Sequence, residues 1–184
     1  MLLYHTRRCR LSKRFKGYFF YRERESDEVT WLRPTDSTLL QLPRPIVLIN
    51  GAFDILHTPH MRLIYSAADK AKSGSVVCAL DSDKRIKASK GPERPILTFP
   101  ERAAAFNYMP VTALVEIDSE ADMVALIKHL RPDIRVQGTE YKDRQSRFRV
   151  RKMLVRNGKP HTTDIINRII ERYNIDNSTT SKSR

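Results

Sequence analysis

His57 and His60 lie three residues apart in the segment Asn50-Gly51-Ala52-Phe53-Asp54-Ile55-Leu56-His57-Thr58-Pro59-His60. This segment follows the apolar run Ile46-Val47-Leu48-Ile49. A short continuous apolar run reads as a strand buried on both faces. Ligands of open α/β sheets collect beyond the carboxyl ends of strands, so the segment is placed to bind one. Gly51 lets the backbone approach a phosphate closely. Thr58 can cap the next helix, and Pro59 suits its first turn. The unpaired N–H groups of a first turn attract anions. The two imidazoles lie across that turn and can converge on one phosphate, donating hydrogen bonds to a pentavalent phosphorus. A His-x-x-His pair also suits a metal site or a satisfied structural pair. No third ligand stands nearby at metal-like spacing, so no metal-ligating residues are expected.

Strand and helix patterns alternate from residue 45 to about 173. Apolar runs predict strands at Ile46–Ile49, Ser75–Leu80, Ala113–Ile117 and Ile134–Val136. Helical spacing predicts His60–Lys72, Pro100–Tyr108, Ala121–Leu130 and Thr162–Tyr173. Alternation of this kind implies βαβ units and a parallel sheet. The expected fold class is α/β, a Rossmann-like three-layer sandwich with helices on both faces of the sheet. Pro43 and Pro45 mark the boundary of an extension, residues 1–44. Its first half is basic and aromatic, with Arg7, Arg8, Arg10, Lys13, Arg14 and Lys16 leading into Tyr18-Phe19-Phe20-Tyr21. Residues 174–184 read as a frayed, Ser- and Thr-containing tail.

The 184 residues carry a net charge of +13, which favours polyanionic partners such as nucleoside triphosphates or nucleic acid. Cys9 and Cys78, the two cysteines, make neither a disulfide framework nor a zinc site. No apolar run approaches membrane-spanning length, and no signal-peptide core stands at the N-terminus. A reducing, cytoplasmic setting is expected.

Gly51 to His60 resembles the HxGH signature of the cytidylyltransferase-like nucleotidyltransferases. The likeness is greatest to the branch with glycerol-3-phosphate cytidylyltransferase and the nucleotidyltransferase domain of ADP-heptose synthase. Further segments match that pattern in order. Ala79-Leu80-Asp81-Ser82-Asp83 is similar to a strand end, and Lys90-Gly91-Pro92-Glu93-Arg94-Pro95 to a KGxxRP segment. Pro100-Glu101-Arg102 resembles the start of the next helix. Arg131-Pro132-Asp133 and Gln137-Gly138-Thr139-Glu140-Tyr141 resemble PD and KGxDY motifs. His161-Thr162-Thr163-Asp164-Ile165-Ile166 resembles a closing STTxII. One short motif is weak evidence, whereas six in order are strong.

The resemblance implies transfer of a nucleoside monophosphate from CTP or ATP to a small phosphorylated acceptor, with release of pyrophosphate. It implies Mg²⁺ as the cofactor that neutralises the leaving group. His57, His60 and Lys90 are the implied catalytic residues. The implied nucleotide-binding set is Gly51, Ala52, Phe53, Asp54, His57, His60 and Arg94, then Gln137, Gly138, Glu140 and Tyr141 around the base, with Thr162 and Thr163 on the β- and γ-phosphates. Arg102 suits either a functional or a surface position. A homodimer is expected as a possible assembly.

Four positions depart from the pattern. Pro59 replaces the glycine of HxGH and removes one backbone N–H. Gln137 replaces a lysine, Glu140 an aspartate, and His161 the serine before the tandem threonines. The stretch from Lys142 to Lys159 is heavily basic and leaves the acceptor open. The alternative reading is a non-catalytic nucleotide- or nucleic-acid-binding protein on the same scaffold, favoured by the charge and by the basic aromatic N-terminus.

Overall fold

The computed structural model describes residues 19–22, 29–32, 41–139, 150–155 and 158–173. Two short strands, β1 (Phe19–Arg22) and β2 (Val29–Leu32), pair antiparallel within the N-terminal extension. The elements that position the site begin at β3 (Ile46–Gly51). They continue as α1 (Thr58–Ala71), β4 (Ser75–Asp81), α2 (Asp83–Lys90) and α3 (Phe99–Ala105). After a 3-10 turn at Phe106–Tyr108 come β5 (Ala113–Ile117), α4 (Glu120–Leu130), β6 (Ile134–Gly138), β7 (Arg151–Val155) and α5 (Thr162–Tyr173).

Strands β3 to β7 form one sheet of order β5-β4-β3-β6-β7, and every pairing in it is parallel. Alternation along each strand sends side chains to two cores. Val47, Ile49, Val76, Cys78, Leu80 and Leu114 point to one face, where they meet Leu63, Ile64 and Ala67 of α1 and Phe99 and Ala103 of α3. Ile46, Leu48, Val77, Ala79, Val115 and Ile117 point to the other, against Met123, Leu126, Ile127 and Leu130 of α4. This is the three-layer α/β sandwich expected from the sequence. Each fully buried aliphatic side chain contributes roughly 1.5–3 kcal/mol. Burial also pushes the Cys78 thiol well above its usual value, so it acts as a small hydrophobe.

The sheet fixes where a ligand can sit. The chain runs outward from β3 to β4 and β5, then returns to the other side of β3 as β6. The strand order reverses at the β3–β6 pair, and a crevice opens there beyond the strand ends. The entry to β3 is pinned from below: Ile46 N–H donates to Asp133 Oδ2 at 2.7 Å, and Arg44 pairs with the same carboxylate at 2.9 Å. Gly74 is required here by contact, since a Cβ would lie 2.2 Å from the Pro45 carbonyl oxygen.

Several local expectations change. Helix α1 starts at Thr58, with His57 at the N-cap and no side-chain cap from Thr58. The expected helix at 100–108 is a shorter α-helix, closed by a Thr98–Glu101 capping box, followed by the 3-10 turn. Helix α2 and strand β7 have no counterpart in the sequence reading. Helix α2 buries only Ile86, so it carries almost no apolar period. Strand β7 is one edge of the sheet, and Arg151 and Lys152 leave only Met153 to Val155 as an apolar run. Among the described residues, no helix is long and apolar enough to cross a membrane.

Candidate functional site

Beyond the carboxyl ends of β3 and β6 lies a cleft of about 380 Å³. Its floor is the loop after β3: Gly51, Ala52, Phe53 and Asp54. His57 and His60 enter from the start of α1. Lys90 enters from the last residue of α2, and Arg94 from the loop after it. Gln137 and Gly138 close the β6 side, and Thr162 and Thr163 enter from the start of α5. Twelve residues expected from the sequence therefore line one cavity. Glu140, Tyr141 and the basic run 142–149 lie outside the described residues.

The two histidines are the most constrained groups. Their rings stack with centroids 3.9 Å apart and planes 18° apart. Burial pushes the His60 imidazole down to about 3, aided by the neighbouring charges of His57 and Lys90, and opposed by the Ile55 carbonyl and Asp54. Burial also lowers His57, with His161 acting in the same direction. Both rings are therefore neutral near pH 7, each carrying a single N–H. Nδ1 of each is buried without a hydrogen-bond partner. Nε2 of His57 lies 3.3 Å from Thr162 Oγ1, so the first and last motifs of the chain meet across the cleft.

The loop under the histidines is held rigidly. Phe53 has a φ of 44°, a left-handed conformation costly for a bulky residue. Its ring meets Phe106 edge-on at 5.2 Å and the His60 ring at 5.1 Å. Gly51 fits beneath it, because a Cβ there would lie 3.2 Å from the Phe53 ring. Asp54 is buried and fully bonded. It accepts from Ile96 N–H at 3.0 Å, from Leu97 N–H at 2.9 Å and from Arg94 Nε at 2.8 Å. Burial pushes this carboxyl up, but the Leu97 and Ile96 amides and Arg94 outweigh it and hold it below its ordinary value. The Arg94 guanidinium is thus committed to Asp54, with Nη2 2.7 Å from Oδ2, while its side chain still borders the cleft.

The cations of the cleft differ in availability. Burial lowers the Lys90 ammonium, and the charge of Arg94 adds to the effect. Lys90 is the cation at the end of α2 that borders the cavity. At α5, His161 N–H donates to Asp164 Oδ2 at 2.8 Å, so that amide is occupied, while the His161 ring borders the cleft.

Among the described residues, no group of three or more His, Cys, Asp or Glu side chains is placed to hold a metal ion. The nearest carboxylate, Asp54, has its oxygens filled by protein donors. The described residues do not build a resident Mg²⁺ site. A magnesium ion would arrive with a triphosphate, held mainly by phosphate oxygens and water.

Three residues that shape the site were not assigned to it from the sequence. Arg102 is fully buried rather than a surface residue. Its signal was the spacing Phe99, Arg102, Phe106, which puts it on the inward stripe of a helix. Asp83 holds Arg102, and was legible only as a residue behind a Ser82 cap. His161 stood out as a departure, and its place before a helix start was the clue.

Comparisons with known proteins show what the chain is similar to. Residues 48–177 match the cytidylyltransferase-like family. The Bifunctional protein HldE of Syntrophotalea carbinolica is 33% identical over 162 residues, covering 81% of this chain and 32% of that protein. The Bifunctional protein HldE of Campylobacter fetus is 36% identical over 131 residues, covering 68% of this chain and 28% of that protein. The chain therefore spans about a third or less of these relatives. The crystal structure of a lipopolysaccharide core biosynthesis protein from Thermoplasma volcanium covers 63% of this chain and 98% of its own, at 22% identity and a TM-score of 0.46. On the family match, which spans most of the sheet and every described motif, the chain belongs to the cytidylyltransferase-like family.

Proposed function

We propose that the chain is a nucleotidyltransferase that moves a nucleoside monophosphate from CTP or ATP onto a small phosphorylated acceptor. Residues 45–173 are its transferase unit, with 1–44 and 174–184 lying outside the chemistry. The reading rests above all on the 3.3 Å approach of Thr162 Oγ1 to His57 Nε2, which brings a helix N-terminus and the paired imidazoles to one point.

The chemistry suited to this cleft is in-line displacement. A phosphate oxygen of the acceptor forms a bond to the α-phosphorus, and the bridge oxygen to the β-phosphate leaves with pyrophosphate. No covalent enzyme intermediate is needed, so catalysis is positioning and charge stabilisation. Neutral His57 and His60 donate N–H bonds to the phosphate oxygens as charge builds on them. Lys90 neutralises charge on the triphosphate or the acceptor. Thr162 and Thr163 offer hydroxyls and helix N–H groups to the β- and γ-phosphates. Gln137 and Gly138, at the end of β6, face the nucleobase side.

The test is pyrophosphate release with each NTP, Mg²⁺ and a panel of sugar and polyol phosphates. Turnover with one NTP and one acceptor class is expected. No release in any combination would remove the reading and leave the binding-protein alternative.

A further inference from the structure

The buried Arg102 lies beneath the nucleotide loop and contacts three separate segments. Its Nη1 donates to the Ala52 carbonyl at 2.6 Å, its Nε to the Leu97 carbonyl at 3.1 Å, and its Nη2 to Asp83 Oδ1 at 2.7 Å. The other Asp83 oxygen accepts from Phe99 N–H at 3.2 Å. The Arg102 guanidinium also lies 5.5 Å from the centre of the Phe99 ring. Arg102 thus spends its charge on structure, at a position with no exposure to a ligand.

The location of these bonds suggests what they are for. Ala52 precedes Phe53, the residue in the left-handed conformation, and Asp54 follows it. Arg102 fixes one side of that kink, and the Asp54 cage fixes the other. The Phe53 ring then meets His60, which stacks on His57. Asp83 begins α2, and Lys90 ends it. One guanidinium therefore ties the helix that carries Lys90 to the loop that carries the histidines.

We infer that Arg102 and Asp83 form a positioning pair, which holds the Phe53 kink and keeps the His57–His60 stack and Lys90 in one fixed arrangement. Neither residue touches the reacting atoms. An unpinned Ala52 carbonyl lets Phe53 relax towards ordinary φ values, its ring swings, and His60 gains water. A buried polar network of this kind acts as a unit, so loss of one member is felt by the rest. The role of the histidines in transfer rests on the function proposed above, but their placement does not.

The experiment follows the imidazole signals of the ¹⁵N-labelled full chain by NMR from pH 7 down to acid. His60 is assigned with His60→Gln and His57 with His57→Gln. The groups that bear on His60 are His57, Lys90, Asp54 and the Ile55 carbonyl, and all remain in each variant compared. Arg102→Lys and Asp83→Asn are compared with Val115→Ala, which opens the core on the opposite face of the sheet. Wild-type His60 is expected to stay neutral to about 3. In Arg102→Lys and Asp83→Asn its midpoint should rise by at least about one unit towards that of a solvated imidazole, near 6.5. Val115→Ala should leave it in place. Should Arg102→Lys fail to fold, Asp83→Asn decides, because the amide keeps the shape and one acceptor. A His60 midpoint unchanged in Asp83→Asn, or moved as far by Val115→Ala, overturns the inference. A shifted midpoint in a chain that turns over no NTP would overturn the transferase reading and leave the positioning pair standing.

Discussion

The rings of His57 and His60 stack 3.9 Å apart, and the deeper of the two, His60, is held neutral down to about 3. Two neutral imidazoles at the same phosphate can donate hydrogen bonds without the repulsion two cations would suffer. Preorganised donors aimed at developing charge are worth roughly 10²–10³ in turnover each. His57→Ala and His60→Ala are each expected to lower kcat by that order, while the Kd for NTP changes only a few-fold. Steady-state pyrophosphate assays with calorimetric Kd values separate the two effects.

Folding stability should fall on mild acidification, with His60 as the larger contributor and His57 acting in the same direction. The folded value of His60 lies below its unfolded value of 6.5, so the unfolded chain binds more protons between about 3 and 6.5. The contribution is therefore complete above 6.5 and is lost as the pH falls through that window. Asp54 has a folded value below 3.8, so its contribution is present above 3.8 and is lost only at lower pH. Urea midpoints measured from pH 7 to pH 4 should decline in wild type. In His60→Gln the decline should be shallower.

Asp54→Ala would strand a guanidinium of 11% exposure and two backbone N–H groups. Breaking one partner of a buried pair costs about 3–5 kcal/mol. A loss of that size should appear in urea unfolding at neutral pH. Asp54→Asn keeps one acceptor oxygen and should lose less.

Thr162 and Thr163 begin α5 beside His57. A hydrogen bond to a charged phosphate contributes about 1.5–3 kcal/mol. Thr162→Ala and Thr163→Ala are each expected to weaken NTP binding at least tenfold, read by calorimetry, with little effect on binding of the nucleoside monophosphate.

Pro59 sits in the first turn of α1 and supplies no N–H. Pro59→Gly restores that donor. NTP binding should tighten several-fold while the melting temperature falls, because glycine gives the unfolded chain more freedom. A thermal-shift series with and without NTP reads both effects.

Much of this architecture was legible because it rests on strong periodic signals. The runs at Ile46, Ser75 and Ala113 are strands buried on both faces, and such strands leave continuous apolar sequence. The histidines, Lys90 and the tandem threonines were legible as ordered motifs. What escaped depended on contacts between distant residues. Helix α2 owes its place to a Ser82 cap and one buried Ile86. Strand β7 owes its place to pairing with β6, which a charged sequence conceals. Arg102 suited a functional or a surface position equally until Ala52, fifty residues away, and Asp83 were found at its guanidinium.

The most direct test of the central claim follows the α-phosphorus itself. The chain is incubated with α-labelled CTP or ATP, Mg²⁺ and a phosphorylated acceptor, and the products are separated. Nucleotidyl transfer requires the α-label on the acceptor in a 1:1 ratio with released pyrophosphate, and near-complete loss of both in the His57→Ala, His60→Ala double variant. Label that stays on the NTP with every acceptor, or that transfers equally well in the double variant, would contradict it.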